Sequence, residues 1–225
     1  MEPKTLQMKL DEGRQYRDID VSSFERRSEE DGQKTVRGYA TTFDTPYELY
    51  RENWGGVTYI VREQVDSNAF ADTDLDDVIM QYNHEGRVFA RTSNGTLAIS
   101  PNERGLHIVA NLGGTELGRQ VYEEIEGGYT TKMSFGFTVA KDKRDTTEVK
   151  DEETGVTTVD ILRTILSIGK LYDVSAVSLP ANSGTSISAR AYSEGVIGEA
   201  KEEFLAREKR ERQKQRIRIL TEVLK

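Results

Sequence analysis

The 225-residue sequence predicts a mainly β protein of the α+β class, with peripheral helices and a helix appended at its C-terminal end. Many short stretches alternate apolar and polar residues, as strands with one buried face do, and Gly, Pro or Asn separates them. One amphipathic helix interrupts these stretches. Strands and helices do not alternate along the chain, so the sequence does not predict a parallel sheet. An antiparallel barrel or sandwich is typical of this pattern.

The predicted strands follow one another along most of the chain. In chain order they are 16–21, 35–43, 57–61, 78–82, 96–99, 106–112, 131–140, 161–168 and 171–179. Gly55-Gly56 precedes the third strand and Pro180 ends the last one, because neither residue type continues a strand easily. A long charged hairpin is expected over 141–160, with Glu153-Thr154-Gly155 near its tip.

One helix is predicted directly before the strand 131–140. The hydroxyl of Thr115 can cap its first turn by accepting a hydrogen bond from a backbone N–H. Leu117, Val121 and Ile125 recur every four residues, so they form one apolar stripe. The helix is expected to end at Gly127-Gly128.

Charge sets the C-terminal segment apart from the rest of the chain. Residues 201–225 carry nine Lys or Arg and five Asp or Glu, whereas the whole chain has a net charge of −8. Apolar residues lie at the two ends of this segment, which favours a helix with a solvated middle and an apolar end. We therefore expect a flexible leader over 1–13, a domain over 14–190 and a charged helical extension over 191–225.

The composition excludes several classes of site. Without cysteine there are no disulfides, zinc–thiolate sites or cysteine nucleophiles, and two histidines make a histidine-rich metal site unexpected. The negative net charge argues against binding of nucleic acid. No signal peptide and no apolar run of about 18 residues is found, so we expect no membrane segment and a soluble, intracellular protein. We also expect no cofactor and no metal.

A candidate nucleophile lies in the strand 131–140. In Met133-Ser134-Phe135-Gly136-Phe137, the three apolar side chains would face one side, and Ser134 and Gly136 the other. The apolar trio can anchor the strand in a core. Gly136 would leave open space beside the Ser134 hydroxyl, as a nucleophile approached by a peptide needs. The alternative is a small polar residue on a wet strand face.

Three side chains could serve as the general base. Imidazole titrates near neutral pH, and His84 follows the strand 78–82, whereas His107 lies within the strand 106–112. Either could instead be a surface histidine. Lys132 shares a strand face with Ser134 and could act in a serine–lysine dyad if burial lowered its pKa.

Asp173 is the candidate for an orienting acid. Its strand, 171–179, is apolar on both faces, with Leu171 and Val177 on one face and Val174 on the other. A carboxylate there costs several kcal/mol unless it is paired or hydrogen-bonded. An imidazole N–H would satisfy it and would fix the tautomer that leaves the other nitrogen free. A bond to the backbone or to an arginine is the alternative.

Together these stretches resemble the prohead (capsid maturation) proteases of tailed bacteriophages, a group related to herpesvirus assemblin. The resemblance covers about residues 14–190. It is carried by Arg37-Gly38-Tyr39-Ala40 with Phe43, Tyr82-Asn83-His84, Gly95-Thr96-Leu97, Arg104-Gly105-Leu106, Met133-Ser134-Phe135-Gly136-Phe137, and Leu171-Tyr172-Asp173-Val174-Ser175 with Pro180-Ala181-Asn182, Thr185 and Arg190.

The resemblance implies a closed antiparallel β-barrel ringed by helices, and a serine endopeptidase. By the family pattern, Ser134 is the nucleophile, His84 the base and Asp173 the third member, where relatives often carry Glu. The implied substrates are the major capsid protein, scaffold segments and the protease itself, inside the immature prohead in the host cytoplasm. A homodimer or higher oligomer is a further expectation, because assemblin relatives dimerise.

Three other functions stay open at this point. The same fold could serve as a catalytically inactive capsid-assembly or scaffolding module, since a fold does not determine a function. A serine–lysine peptidase would use Lys132 in place of His84. A metal-dependent hydrolase is the third alternative.

Overall fold

Eleven strands and two α-helices form the part of the chain that this computed structural model describes, residues 12–19, 25–28, 34–177 and 184–223. The strands are β1 Gln15–Ile19, β2 Glu25–Ser28, β3 Lys34–Thr42, β4 Tyr47–Trp54, β5 Val57–Val65, β6 Ile79–Tyr82, β7 Glu85–Arg91, β8 Leu97–Pro101, β9 Gly105–Asn111, β10 Lys132–Lys150 and β11 Thr157–Val177. The helices are α1 Glu116–Glu126 and α2 Gly184–Val223. The mainly β class predicted from the sequence is therefore confirmed.

The strands form two sheets. The larger has seven strands: its main path runs β1–β10–β11–β5–β4, and β6, which carries β7, pairs with another part of β11. The smaller sheet has the order β2–β3–β9–β8. Most neighbouring strands are antiparallel, but β11 pairs in parallel with both β5 and β6. The larger sheet is therefore mixed, which the sequence analysis did not predict.

The predicted closed antiparallel β-barrel is wrong. Within the described ranges neither sheet closes on itself, and an isolated bridge between Phe43 and Val65 links the end of β3 to the end of β5. The reason lies in the length of β10 and β11, which have 19 and 21 residues. Strands β6 and β5 pair with successive parts of β11, so they extend the sheet along that strand and do not complete a ring.

Side chains from both sheets and from α1 enclose the main hydrophobic core. Its buried members include Val36, Ala40, Leu106, Ile108 and Ala110 from the smaller sheet, Met80, Met133, Phe135, Phe137 and Val174 from the larger sheet, and Val121, Tyr122 and Ile125 from α1. This packing fixes one face of the first half of β10 in the core. The opposite face of β10 is thereby directed away from the core.

Helix α1 begins as predicted. The Thr115 hydroxyl accepts a hydrogen bond from the backbone N–H of Gly118 at 3.0 Å. The predicted stripe is partly wrong, because Val121 and Ile125 are buried whereas Leu117 is 37% exposed. Tyr122 packs into the core instead.

Helix α2 is docked at one end and exposed at the other. Val196 and Ile197 belong to a second, smaller core that includes Tyr59 and Ile161 of the larger sheet. Residues 205–221 are all exposed. Neither α-helix of the described residues is long and apolar enough to cross a membrane.

Several strand boundaries differ from the prediction. Strands β2, β4 and β7 were not predicted from the sequence, because their charged residues hide the alternation that marks a half-buried strand. The predicted strands 161–168 and 171–179 form one strand, β11, up to Val177. Residues 178–179, Pro180 and most of the predicted leader lie outside the described residues.

Candidate active site

His84 lies in the two-residue turn that joins β6 to β7. Tyr82 and Glu85 pair across this hairpin, and the turn residues Asn83 and His84 have φ angles of 51° and 62°. Positive φ at both positions is the geometry of a tight type I′ hairpin, in which Gly usually takes the second position. A non-glycine residue there costs about 1 kcal/mol or more. Strained backbone positions of this kind cluster at functional sites, which makes His84 a candidate.

Ser134 lies on β10, facing away from the main core. Its neighbours Met133 and Phe135 are buried in that core, so alternation directs Ser134 to the other face of the sheet, as predicted. Strand β1 pairs with this part of β10 and places Asp18 opposite Ser134. The Ser134 side chain is 0% exposed.

Asp173 reaches the same face from β11. In the antiparallel ladder between the two strands, Asp173 lies opposite Gly136 and Ser175 lies opposite Ser134. Cross-strand pairing of this kind directs both side chains of a pair to one face. The backbone ladder therefore places the acid beside the candidate nucleophile.

A register shift next to Asp173 changes which face its neighbours take. Phe137 pairs with Leu171, so Tyr172 is the extra residue of a bulge. The bulge turns Leu171 into the main core together with Val174. The prediction that Leu171 shares a face with Val177 is therefore wrong.

The imidazole of His84 lies between the other two side chains. Its Nε2 is 2.6 Å from the Ser134 Oγ, and its Nδ1 contacts the Asp173 Oδ1. Because a carboxylate can only accept, this network assigns the proton to Nδ1 and leaves Nε2 to accept from the serine hydroxyl. His84 is 4% exposed and Asp173 is 2% exposed, so bulk water screens these contacts little.

This geometry is suited to nucleophilic catalysis. A serine hydroxyl is a weak nucleophile until an adjacent base removes its proton, and a third group must orient that base. The three roles match three side chains that reach one another from β10, the β6–β7 turn and β11.

A comparison with protein families bears on this site. A model of the caudovirus prohead serine protease family matches residues 22–196, which is more than half of the chain. The chain belongs to this family. The family resemblance stated from the sequence is therefore confirmed, and family membership supports a serine protease role in phage capsid maturation. Searches of curated proteins and of solved structures found no match.

Tyr16 of β1 covers the candidate site of this prohead protease family member. It is fully buried, and the centroid of its ring lies 4.4 Å from that of the His84 ring. Burial raises the pKa of the Tyr16 hydroxyl well above its ordinary value, and the negative charge of Asp173 raises it further, while Arg14 opposes both. Tyr16 therefore stays neutral at physiological pH and separates the His84–Asp173 pair from water.

Gly136 makes room for the acid and not for a substrate. A Cβ on Gly136 would lie 2.5 Å from the Asp173 Oδ2 and 2.7 Å from an edge carbon of the Tyr16 ring. The prediction of open space beside the Ser134 hydroxyl is therefore wrong, because the Asp173 carboxylate and the Tyr16 ring fill that space. Only glycine fits this position without displacing one of them.

Ser175 is a neighbour of the acid that the sequence analysis did not single out. Its hydroxyl donates a hydrogen bond to the Asp173 Oδ1 at 2.9 Å, and its side chain is 0% exposed. The signal was present in the sequence, since residues two apart on a strand share a face.

The other two candidate bases lie on β9 and on the strand of Ser134 itself. His107 is on β9 in the smaller sheet, where its ring centroid lies 5.3 Å from that of Tyr39. Lys132 is half-buried at the start of β10, opposite Val177. His84 is thus the histidine that the structure brings to Ser134.

A cleft of about 570 Å³ opens beside the β6–β7 turn. Its lining includes Asn83 and Glu85, which flank His84, and Leu117 and Val121 of α1. The cleft gives solvent access to the turn that carries His84.

Proposed function

We propose that this chain is a serine endopeptidase that cleaves capsid and scaffold proteins inside the maturing prohead, with Ser134 as nucleophile, His84 as general base and Asp173 as the orienting acid. The observation that carries the proposal is the position of the His84 ring, whose Nε2 lies 2.6 Å from the Ser134 Oγ while its Nδ1 contacts Asp173. Family membership supports the same activity.

The reaction follows from the hydrogen bonds. As the Ser134 Oγ attacks the scissile carbonyl carbon, its proton passes to the Nε2 of His84, and the Asp173 carboxylate stabilises the imidazolium that forms. His84 then gives this proton to the leaving amine, and the acyl-enzyme remains on Ser134. Water hydrolyses the ester with His84 again as base, which restores the free serine.

The buried state of Ser134 bears on access to the site. In the described conformation its hydroxyl is fully covered, so a peptide must displace part of the cover to reach it. We place substrate entry at the cleft beside the β6–β7 turn, because this opening reaches the residues that flank His84. Opening of the cover during prohead assembly would restrict cleavage to the time and place of maturation.

The experiment for this function is co-expression with the capsid and scaffold proteins of the same phage. Mass spectrometry is expected to find defined fragments of those partners with the wild type and intact partners with Ser134→Ala. Intact partners in both samples would favour an inactive assembly module with this fold. Fragments in both samples would mean that Ser134 is not the nucleophile.

Self-cleavage is a further part of the proposal. The hairpin over 141–160 is largely strand in the structure, and only its turn, residues 151–156, lies outside the two strands. This exposed turn and the exposed end of α2 are the segments that we expect to be cut, because proteases act on accessible backbone. Fragment masses from the co-expression experiment would show whether either segment is cleaved.

The exposed end of α2 is proposed to dock the protease onto its assembly partners. Leu205, Ile217, Ile219 and Leu220 are between 49% and 64% exposed, whereas Val196 and Ile197 are held in the second core. The Arg207–Glu148 ion pair attaches α2 to the sheet near the start of the exposed end. Removal of residues 208–225 is therefore expected to spare cleavage of a free substrate but to reduce packaging into proheads. Loss of both would show that the exposed end is needed for the fold.

A further inference from the structure

Two donors converge on one oxygen of the Asp173 carboxylate. The His84 Nδ1 contacts Oδ1, and the Ser175 hydroxyl lies 2.9 Å from the same atom. An ionised carboxylate has no proton to give, so both groups must donate to it. The orientation of the acid is therefore shared between the base and a second serine.

The backbone holds Ser175 in place for this contact. Ser175 lies directly opposite Ser134 in the β10–β11 ladder, and Asp173 lies opposite Gly136. Ser175 is 0% exposed and Asp173 is 2% exposed, so water does not compete readily for either group. A hydrogen bond in such surroundings orients its partner more firmly than one on the surface.

On the other side of the carboxylate, Oδ2 faces the position that a Cβ of Gly136 would occupy, beside the ring of Tyr16. The carboxylate is thus confined on one side by packing and held on the other by donors. Rotation of the carboxylate away from His84 would break the Ser175 hydrogen bond.

We propose that Ser175 is a positioning residue, whose hydroxyl holds the Asp173 Oδ1 toward the Nδ1 of His84. The neutral imidazole is thereby kept in the tautomer whose Nε2 is free to take the Ser134 proton. The catalytic consequence rests on the function proposed above, whereas the effect on the imidazole does not depend on it.

The test uses the imidazole nitrogens as the spectroscopic signal. The chain contains two histidines, so ¹⁵N spectra of histidine-labelled protein hold two imidazole sets, and a His107→Gln variant assigns them. With the His84 imidazole neutral, we expect the wild type to show the Nδ1–H tautomer alone. Ser175→Ala is expected to show a mixture of both tautomers, and Ser175→Thr, which keeps the hydroxyl, a tautomer ratio close to that of the wild type.

Ser193→Ala is the matched control. Ser193 is also 0% exposed, and its hydroxyl donates to the Ala189 carbonyl at 2.7 Å within α2. The same substitution there removes one buried hydroxyl without touching Asp173, and we expect the His84 tautomer to be unchanged. An unchanged tautomer in Ser175→Ala, or an equal change in Ser193→Ala, would overturn the proposal.

A second measurement tests the catalytic consequence. A fluorophosphonate reagent forms a bond between its phosphorus and the Ser134 Oγ, fluoride leaves, and the serine proton passes to His84. The maximal labelling rate is expected to fall about tenfold in Ser175→Ala, the size that one hydrogen bond to a charged group can supply. The reagent concentration at half-saturation should not change, because Ser175 does not contact the reagent. If the wild type is labelled and Ser175→Ala is labelled at the same maximal rate, the proposed effect of Ser175 on catalysis is contradicted.

The labelling measurement and the imidazole spectra test different proposals, so one can fail while the other succeeds. If the wild type is labelled at Ser134 neither alone nor after co-expression with its capsid and scaffold partners, the proposed peptidase function loses its support, while the imidazole spectra still decide whether Ser175 positions Asp173.

Discussion

Two buried polar clusters lie on opposite faces of β1. Tyr16 packs against the imidazole cluster, which we define as His84, Ser134, Asp173 and Ser175. The next residue, Arg17, belongs to the ion cluster, which we define as Arg17, Glu63 and Arg163. Neighbouring residues on a strand face opposite sides, so one short strand contacts both clusters.

The ion cluster consists of groups that keep their charge. Arg17 binds both carboxylate oxygens of Glu63, at 2.5 and 2.9 Å, and Arg163 adds a contact at 2.9 Å. Tyr47 donates to the same carboxylate at 2.6 Å. The guanidinium groups cannot lose their protons in a protein, so this cluster can hold strands together but cannot transfer a proton at neutral pH.

The imidazole cluster consists of groups that can exchange protons. An imidazole can both accept and release a proton, and the two nitrogens of His84 connect a hydroxyl to a carboxylate. Burial and dense hydrogen bonding are therefore common to both clusters and do not by themselves mark a catalytic site. The difference lies in whether the chain of hydrogen bonds contains a group that can both accept and release a proton.

The largest effect on stability is expected from the ion cluster. Glu63→Ala would leave Arg17 and Arg163 buried without their shared carboxylate, which costs about 3–5 kcal/mol of unfolding free energy. Chemical denaturation of the variant would measure this loss.

Glu48→Ala on β4 is the matched control for Glu63→Ala. Glu48 pairs with Arg51 on an exposed strand, so its removal should change the unfolding free energy by less than about 0.5 kcal/mol. Similar losses from the two variants would show that burial does not determine the contribution of these carboxylates.

A medium effect, on both stability and catalysis, is expected from Gly136→Ala. The new Cβ would overlap with the Asp173 carboxylate and the Tyr16 ring, and overpacking of a buried site costs about 1–3 kcal/mol. Because Asp173 would be displaced from His84, labelling of Ser134 by the fluorophosphonate should also slow.

Gly195→Ala in α2 is the control for that variant. A Cβ on Gly195 would meet no atom within 4 Å, and alanine favours a helix over glycine by about 1 kcal/mol. This variant should be as stable as the wild type or more so. A Gly136→Ala protein with wild-type stability and labelling rate would mean that the site relaxes around the added methyl group.

The smallest effect is expected in the pH dependence of stability. Burial would raise the pKa of the Glu63 carboxyl, but the charges of Arg17 and Arg163 outweigh burial and hold the pKa below its usual range. A lowered folded-state pKa stabilises the fold at neutral pH, and this contribution is lost as the pH falls below about 4.3. In that range the unfolding free energy of the wild type should fall more steeply than that of Glu63→Gln, by up to about 1.4 kcal/mol per pH unit. Parallel curves would contradict the lowered pKa.

The sequence was most informative where local pattern controls the structure. Alternation around Ser134 predicted which side chains of β10 enter the main core, and Thr115 caps α1 as expected. The positions of His84, Ser134 and Asp173 along the chain do not by themselves predict that the three side chains lie close together. Their selection came from local context and family resemblance, and their catalytic roles remain proposals.

The rest depends on contacts between distant parts of the chain. The parallel pairing of β11 with β5 and β6 leaves no local signal, and the barrel prediction was wrong for this reason. The bulge at Tyr172 leaves no local signal either. Arg17 and Glu63 are separated by 46 positions in the sequence, so the residues near either one do not predict the ion cluster. The prediction for Gly136 was wrong because the space that it leaves is filled by Asp173 and Tyr16, which come from two other strands.

The measurement that we would make first compares the two histidines. His84→Gln and His107→Gln are each co-expressed with the capsid and scaffold proteins, and the fragments are identified by mass spectrometry. Because the Nε2 of His84 lies 2.6 Å from the Ser134 Oγ whereas His107 packs on Tyr39, fragments should disappear with His84→Gln and persist with His107→Gln. Wild-type fragments from a correctly folded His84→Gln protein would contradict the assignment of His84 as the base.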